Sequence, residues 1–192
     1  MEAPADTREK LLLAATAVFL QHGFAAASME QVRQAAGVSN GSLYHHFRTK
    51  SALADALHAH VLRDFHATLL APIAGRASAQ AGVRGMVRAY VAWVLAHPDG
   101  ARLLHDIRRN ADWVGGEWGQ ANAEGFAALR DWVARHTQAG ALRPMPLATW
   151  TAIVFSPAIS LTQHWVSRQP PAVPTNVRLA LEHAAWMGVA AA

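Results

Sequence analysis

The chain has 192 residues, 52% of them hydrophobic, enough for one ordinary domain or two small ones with a sizeable core. It contains no Cys, which excludes disulfides and Cys-based zinc sites; its net charge of +4, split as +1 over residues 1–50 and +3 over 51–192, permits nucleic-acid binding without requiring it. The stretch Met1 to Asp6 lacks a signal-peptide pattern and no apolar run approaches the ~20 residues of a membrane span, so a cytoplasmic protein with no membrane partner is expected.

Asp6 or Thr7 caps a first helix over 7–22, whose Leu11, Leu12, Ala15, Val18 and Phe19 form a wide apolar stripe. Leu13 and Leu20 lie opposite, which predicts a second contact with another part of the chain. Gly23 ends this helix. Ser28 then caps a second helix, with Gln31 completing a capping box and Val32, Ala35 and Ala36 on one face. Gly37 suits a helix C-cap and Val38 plugs a tight corner. Ser39 caps a second short helix, and Thr49 caps the helix after it.

Projected around a helix, Leu43 and Phe47 lie about 40° apart and define the buried side of the second short helix. Gly41 and His45 fall on the outward face, flanked by Ser42 and Tyr44, with Lys50 just beyond. Small polar groups, an aromatic hydroxyl and an imidazole are donors suited to phosphates and base edges.

Helices are then expected over 49–71, with Leu53, Leu57, Val61 and Phe65 along one side, and over 83–97, after a small-residue loop from Ala74 to Gly82. A short helix at 99–109 and another at 120–138 follow, separated by Gly115, Gly116 and Gly119. A helix over 147–168 contains Pro157, which should kink it. The run 169–174 is a rigid turn before a last helix at 175–189. There are no strand-like alternations and no repeats, so the fold class is all-α.

Val38-Ser39-Asn40-Gly41-Ser42-Leu43-Tyr44-His45-His46-Phe47, with Lys50 after it, resembles the recognition-helix signature of the TetR family of bacterial transcriptional repressors. The helix at 7–22 and Gly23-Phe24 match as well, so the resemblance covers residues 7–60. It implies a helix-turn-helix at 28–47 in a DNA-binding domain at 1–50 (6–66 in the family's usual extent). An effector-binding and dimerisation domain would occupy 51–192. The function implied is a dimeric repressor released from a pseudo-palindromic operator by a small-molecule effector. The alternative is a helical scaffold dimer whose helix-turn-helix is unused. No cofactor is expected.

On that reading the DNA-binding residues are Ser28, Ser39, Asn40, Gly41, Ser42, Tyr44, His45, His46 and Lys50. Asn40, Gly41 and Ser42 would enter the major groove, where Asn40 can pair with adenine. Tyr44, His45 and Lys50 would hold phosphates, Ser28 would offer a hydroxyl, and His46 would either pack or touch phosphate. The resemblance also implies an effector pocket, for which Tyr90, Trp93, His97, Leu104, His105, Trp113, Phe126, Trp132 and Phe155 are candidates. Residue by residue, core packing is the simpler role for these. The last two helices carry surplus apolar surface. Trp150, Val154, Leu161 and Trp165 on one, with Val177, Leu181, Ala184 and Gly188 on the other, are expected to build a two-fold four-helix interface; the alternative is that these stripes complete one monomer's own core. No metal site is expected: His58 and His60 point apart, and His60 with Asp64 supplies only two ligands. There is no nucleophile elbow, phosphate-binding loop or clustered carboxylate pair, so no enzyme activity is expected.

Overall fold

A computed structural model describes residues 6–75, 77–109, 116–165 and 172–191, without the side chains of 105–109 and 163–165. These residues form helices α1 (Thr7–Ala26), α2 (Met29–Ala36), α3 (Asn40–His46), α4 (Lys50–Leu70), α5 (Ala79–Ala96), α6 (Pro98–Arg109), α7 (Gly116–Gln138), α8 (Leu147–Trp165) and α9 (Thr175–Val189), with a short 3₁₀ turn at Ala71–Ile73. No strand occurs among them, as the sequence predicts; Leu142 and Ala190 form an isolated bridge. No helix among the described residues is long and apolar enough to cross a membrane.

The chain divides into two compact units. The first is Met1–Leu62 with Asp99–Asn122, and the second is Arg63–Pro98 with Ala123–Ala192. The core of the first gathers the α1 stripe of Leu11, Leu12, Ala15, Val18 and Phe19 around Val32, Leu43, Phe47, Leu53, Leu57 and Leu103. Leu43 and Phe47 are therefore the anchors their four-residue spacing requires. Leu20 packs at the edge of this core, but Leu13 is 62% exposed. The expected second contact of α1 is thus made by one leucine only; Leu13 faces solvent.

Gly23 has φ 74° and ψ 155°, which breaks α1 where the sequence ends it; one further turn completes the helix. Two other boundaries differ from expectation. The segment to Gly82 reads as loop, yet α5 begins at Ala79, capped by Ser78 Oγ accepting from Ala81 N at 3.2 Å. Its small residues serve packing: a Cβ at Gly82 would strike the Trp132 ring, and one at Gly85 would strike Pro72. α7 begins four residues earlier than its periodicity shows, because its cap comes from Asp55, far away in sequence.

The second unit packs Val83, Met86, Val87 and Val91 of α5 against Leu129, Trp132 and Val133 of α7, Trp150, Val154 and Phe155 of α8, and Leu181, Ala185 and Val189 of α9. Burying each such aliphatic side chain is worth about 1.5–3 kcal/mol. Glu182 is only 2% exposed, and a charge so placed must be paired. Arg88 donates to it from Nε at 3.1 Å and Nη2 at 2.6 Å, and Arg178 from Nη1 at 3.1 Å, tying α5 to α9. Pro157 lies inside α8, where it cannot donate to the preceding turn.

His136 lies with its ring 4.5 Å from that of Trp132. Burial, and secondarily the adjacent Arg135, push its pKa below the ordinary 6.5. The unfolded chain therefore takes up this proton more readily than the folded one. The His136 contribution should be intact above about pH 6.5 and be lost as pH falls from there through the lowered folded value. Thermal melts at neutral and mildly acid pH should show that His136→Gln weakens this acid sensitivity; an unchanged pH dependence would contradict the assignment.

Candidate nucleic-acid interface

The turn between α2 and α3 is fixed by local hydrogen bonds. Ser28 Oγ accepts from Gln31 N at 3.2 Å, while Gln31 Oε1 accepts from Ser28 N at 2.8 Å, a complete capping box. Gly37 adopts φ 64°, the left-handed conformation that lets Val38 N reach Arg33 O at 3.3 Å. Arg33 then reaches across the corner. Its Nη1 donates to Val38 O at 3.1 Å, and its Nε and Nη2 donate to Glu30 at 2.8 and 2.6 Å. Hydrogen bonding from Arg33, then from Gln34, lowers the Glu30 pKa to about 2. The sequence reading missed Arg33 as a brace of this corner. Its signal was there: an i,i+3 Glu–Arg pair just before the turn.

α3 is capped by Ser39, whose Oγ accepts from Ser42 N at 3.1 Å, and closed by Phe47 N donating to Leu43 O at 2.8 Å. Leu43 is fully buried and Phe47 is 4% exposed. They pin the helix so that Ser39, Asn40, Gly41, Tyr44 and His45 are exposed, with Ser42 and His46 half-buried. Tyr44 is 46% exposed, an aromatic hydroxyl with no role in the core. A Cβ at Gly41 would meet nothing within 4 Å. The His45 and His46 rings contact each other edge-on at 5.3 Å. Seven of the nine expected contact residues therefore lie on or beside one outward face.

The other two are engaged within the chain. Ser28 Oγ is also 3.1 Å from Gln31 Oε1, so its hydroxyl hydrogen is used in the capping box. Lys50 was expected on phosphate. Its Nζ instead donates to Phe24 O at 2.7 Å, Ala25 O at 3.0 Å and Ala27 O at 2.8 Å, and sits 4.7 Å from the Phe24 ring centroid. All three ammonium hydrogens are spent on carbonyls of the last turn of α1 and of Ala27 just beyond it, where the end of the helix leaves acceptors without helical partners. The exposed cation beside α3 is Arg48, which sequence reasoning passed over.

In the second unit the expected pocket residues are partly brought together. A run of rings extends from His97 to Trp93 (5.2 Å), Phe65 (4.9 Å), Tyr90 (6.1 Å), Phe155 (6.2 Å), Trp150 (6.3 Å), Trp132 (6.4 Å) and His136 (4.5 Å). Trp93 donates its indole N–H to Asp64 at 2.6 Å. Trp93, Trp132 and Phe155 are buried, whereas Phe126 is 38% exposed and edge-on to His66. Leu104 lies in the first unit and is not part of this run. The His105 side chain and Trp113 lie outside the described residues, as does the Trp165 side chain. Among the described residues, no group of three metal-ligating side chains forms.

For Trp150, Val154 and Leu181 of the expected dimer face, the core alternative holds. Trp150 is fully buried, Val154 is 1% and Leu181 7% exposed, all inside the monomer's own core; Val177 packs against that core and Gly188 abuts Ile153. A period-four stripe cannot by itself tell a core face from an interface. Of the residues expected there, Leu161 and Ala184 are exposed, and with them Leu179 at 52% and Met187 at 54%.

Residues 11–57 match the model of bacterial regulatory proteins of the tetR family. The HTH-type transcriptional repressor Rv1474c of Mycobacterium tuberculosis is 32% identical over 141 residues, covering 72% of this chain and 71% of that protein. Among solved structures, a TetR family transcription regulator from Marinobacter aquaeolei VT8 superposes with TM-score 0.84 at 23% identity, over 97% of this chain and 96% of that one. The transcriptional regulator FadR of Bacillus subtilis in complex with stearoyl-CoA superposes with TM-score 0.70 at 14% identity, over 93% and 97% of the two chains.

Proposed function

This chain belongs to the TetR family of bacterial regulatory proteins, and from that premise we propose that it is a repressor that binds a pseudo-palindromic operator as a homodimer and leaves it when a small-molecule effector binds. The observation that carries the DNA reading is the outward face of α3. It is polar, has an open backbone at Gly41, and is held rigidly by Leu43 and Phe47. Asn40, Gly41 and Ser42 at its start read bases; Tyr44, His45 and Arg48 hold phosphates; Ser39 and His46 border the contact. Lys50 and Ser28 support the face from behind. The dimer forms through the exposed strip of Leu179, Ala184 and Met187 on α9 with Leu161 on α8.

Two features support an effector site in the second unit. Its aromatic run includes two buried indole N–H groups, of Trp132 and Trp150, with no hydrogen-bond partner among the described residues. FadR, of like fold, binds stearoyl-CoA, a molecule with a long apolar part. The ligand of this chain is accordingly an apolar compound with a hydrogen-bond acceptor.

The experiment is a gel shift with genomic fragments, followed by Asn40→Ala and Ser42→Ala against point-mutated operators. Loss of a good base contact should cost about 1–3 kcal/mol on the preferred base and relax preference at that position. Uniform weakening on all sequences would remove these residues from base readout. A folded protein that retains no fragment would favour the scaffold alternative.

A further inference from the structure

Helix α7 begins at Gly116 within the first unit and continues past Asn122 into the second. Its first turn is gripped by side chains from two other helices. Asp55, on α4, accepts from Glu117 N at 2.8 Å and from Trp118 N at 3.3 Å, so it caps α7 from outside. Gly116 has φ 69°, and a Cβ there would strike the Asp55 carboxylate; only glycine both turns the chain and admits the cap. Arg8, on α1, donates from Nη2 to Glu117 Oε1 at 3.1 Å and Oε2 at 3.0 Å. The same guanidinium lies 5.6 Å from the ring centroid of Phe47, the residue that closes α3.

A short physical path therefore joins the start of α7 to the end of the recognition helix. It runs from Glu117 through Arg8 to Phe47, and in parallel from the α7 amides through Asp55 to α4. Both routes are non-covalent.

We propose that Arg8, Asp55 and Glu117 form a latch through which the state of the second unit positions the recognition helix. The proposal rests on the regulator reading above. With the latch closed, the first turn of α7 is tied to α1 through Arg8 and to α4 through Asp55; with it open, that turn is released from both. Asp55 is the principal positioning residue, because an anionic cap on a helix N-terminus combines hydrogen bonds with the helix dipole. Arg8 and Glu117 are 35% and 45% exposed in their side chains, so their ion pair adds selectivity of geometry more than strength.

The test uses the full chain and an operator duplex selected by the wild-type protein from genomic fragments. Hydrogen exchange is followed along α7 with and without operator. In the wild type, operator should slow exchange through residues 123–138, in the second unit. In Asp55→Ala that slowing should shrink by about 2- to 30-fold, the range for losing a helix N-cap, while α3 amides remain protected by DNA. Asp55→Asn, which keeps an acceptor oxygen, should restore most of it. Should Asp55→Ala fail to fold, Glu117→Ala carries the test with a smaller effect in the same direction. Full transmission to 123–138 in Asp55→Ala or Glu117→Ala would overturn the latch and leave the regulator reading standing. A wild-type protein that retains no DNA would overturn both.

Discussion

Trp150→Ala should lower stability by about 3–5 kcal/mol, the cost of emptying a fully buried aromatic site. Trp150 has no exposed surface and lies edge-on to Trp132 at 6.4 Å and to Phe155 at 6.3 Å. It lies in the core that α8 shares with α5, α7 and α9. The form of the loss matters as much as its size. If Trp150 sat at a subunit interface, the difference in melting temperature between variant and parent would grow on dilution. As a core residue, it should give the same difference at every protein concentration. Thermal melts over a wide range of protein concentration decide the matter, and a dilution-dependent difference would return Trp150 to the interface.

Lys50→Met should destabilise the DNA-binding unit by about 2–3 kcal/mol, since charge-assisted hydrogen bonds are worth more than neutral ones and three are lost together. The half-buried ammonium converges on the carbonyls of Phe24, Ala25 and Ala27, all after the break in α1. Lys50→Arg should not rescue it, because a planar fork cannot aim three hydrogens at one such cluster. DNA binding supplies the discriminating readout. Loss of a phosphate contact would reduce the salt slope by about one, whereas loss of a structural clamp should leave the slope of the folded fraction unchanged. A stable Lys50→Met with a reduced slope would restore the phosphate role.

The legible parts of this chain are those written in local sequence. Ser28 with Gln31, Gly37, Ser39 and the Leu43/Phe47 pair each determine their own neighbourhood, so the helix-turn-helix could be drawn residue by residue. What local reading lacked was the third dimension. Lys50 looks the same whether it points at phosphate or at three carbonyls about 25 positions back. Trp150, Val154 and Leu181 make the same stripe whether a partner or their own unit covers it. The start of α7 was invisible because its cap, Asp55, comes from another helix. Gly82 read as loop because closeness to Trp132, the reason for a glycine there, is a tertiary fact.

On the proposed function, the outward face of α3 reads DNA as one half of a symmetric pair. Footprinting on the operator selected by the wild-type protein tests this most directly. Two protected half-sites are expected on one face of the duplex, roughly 34–36 Å apart or one turn more. Gly41→Glu, a substitution with open space around it, should abolish both without changing the melting temperature. An unchanged footprint with Gly41→Glu, or a single asymmetric protected site, would contradict it.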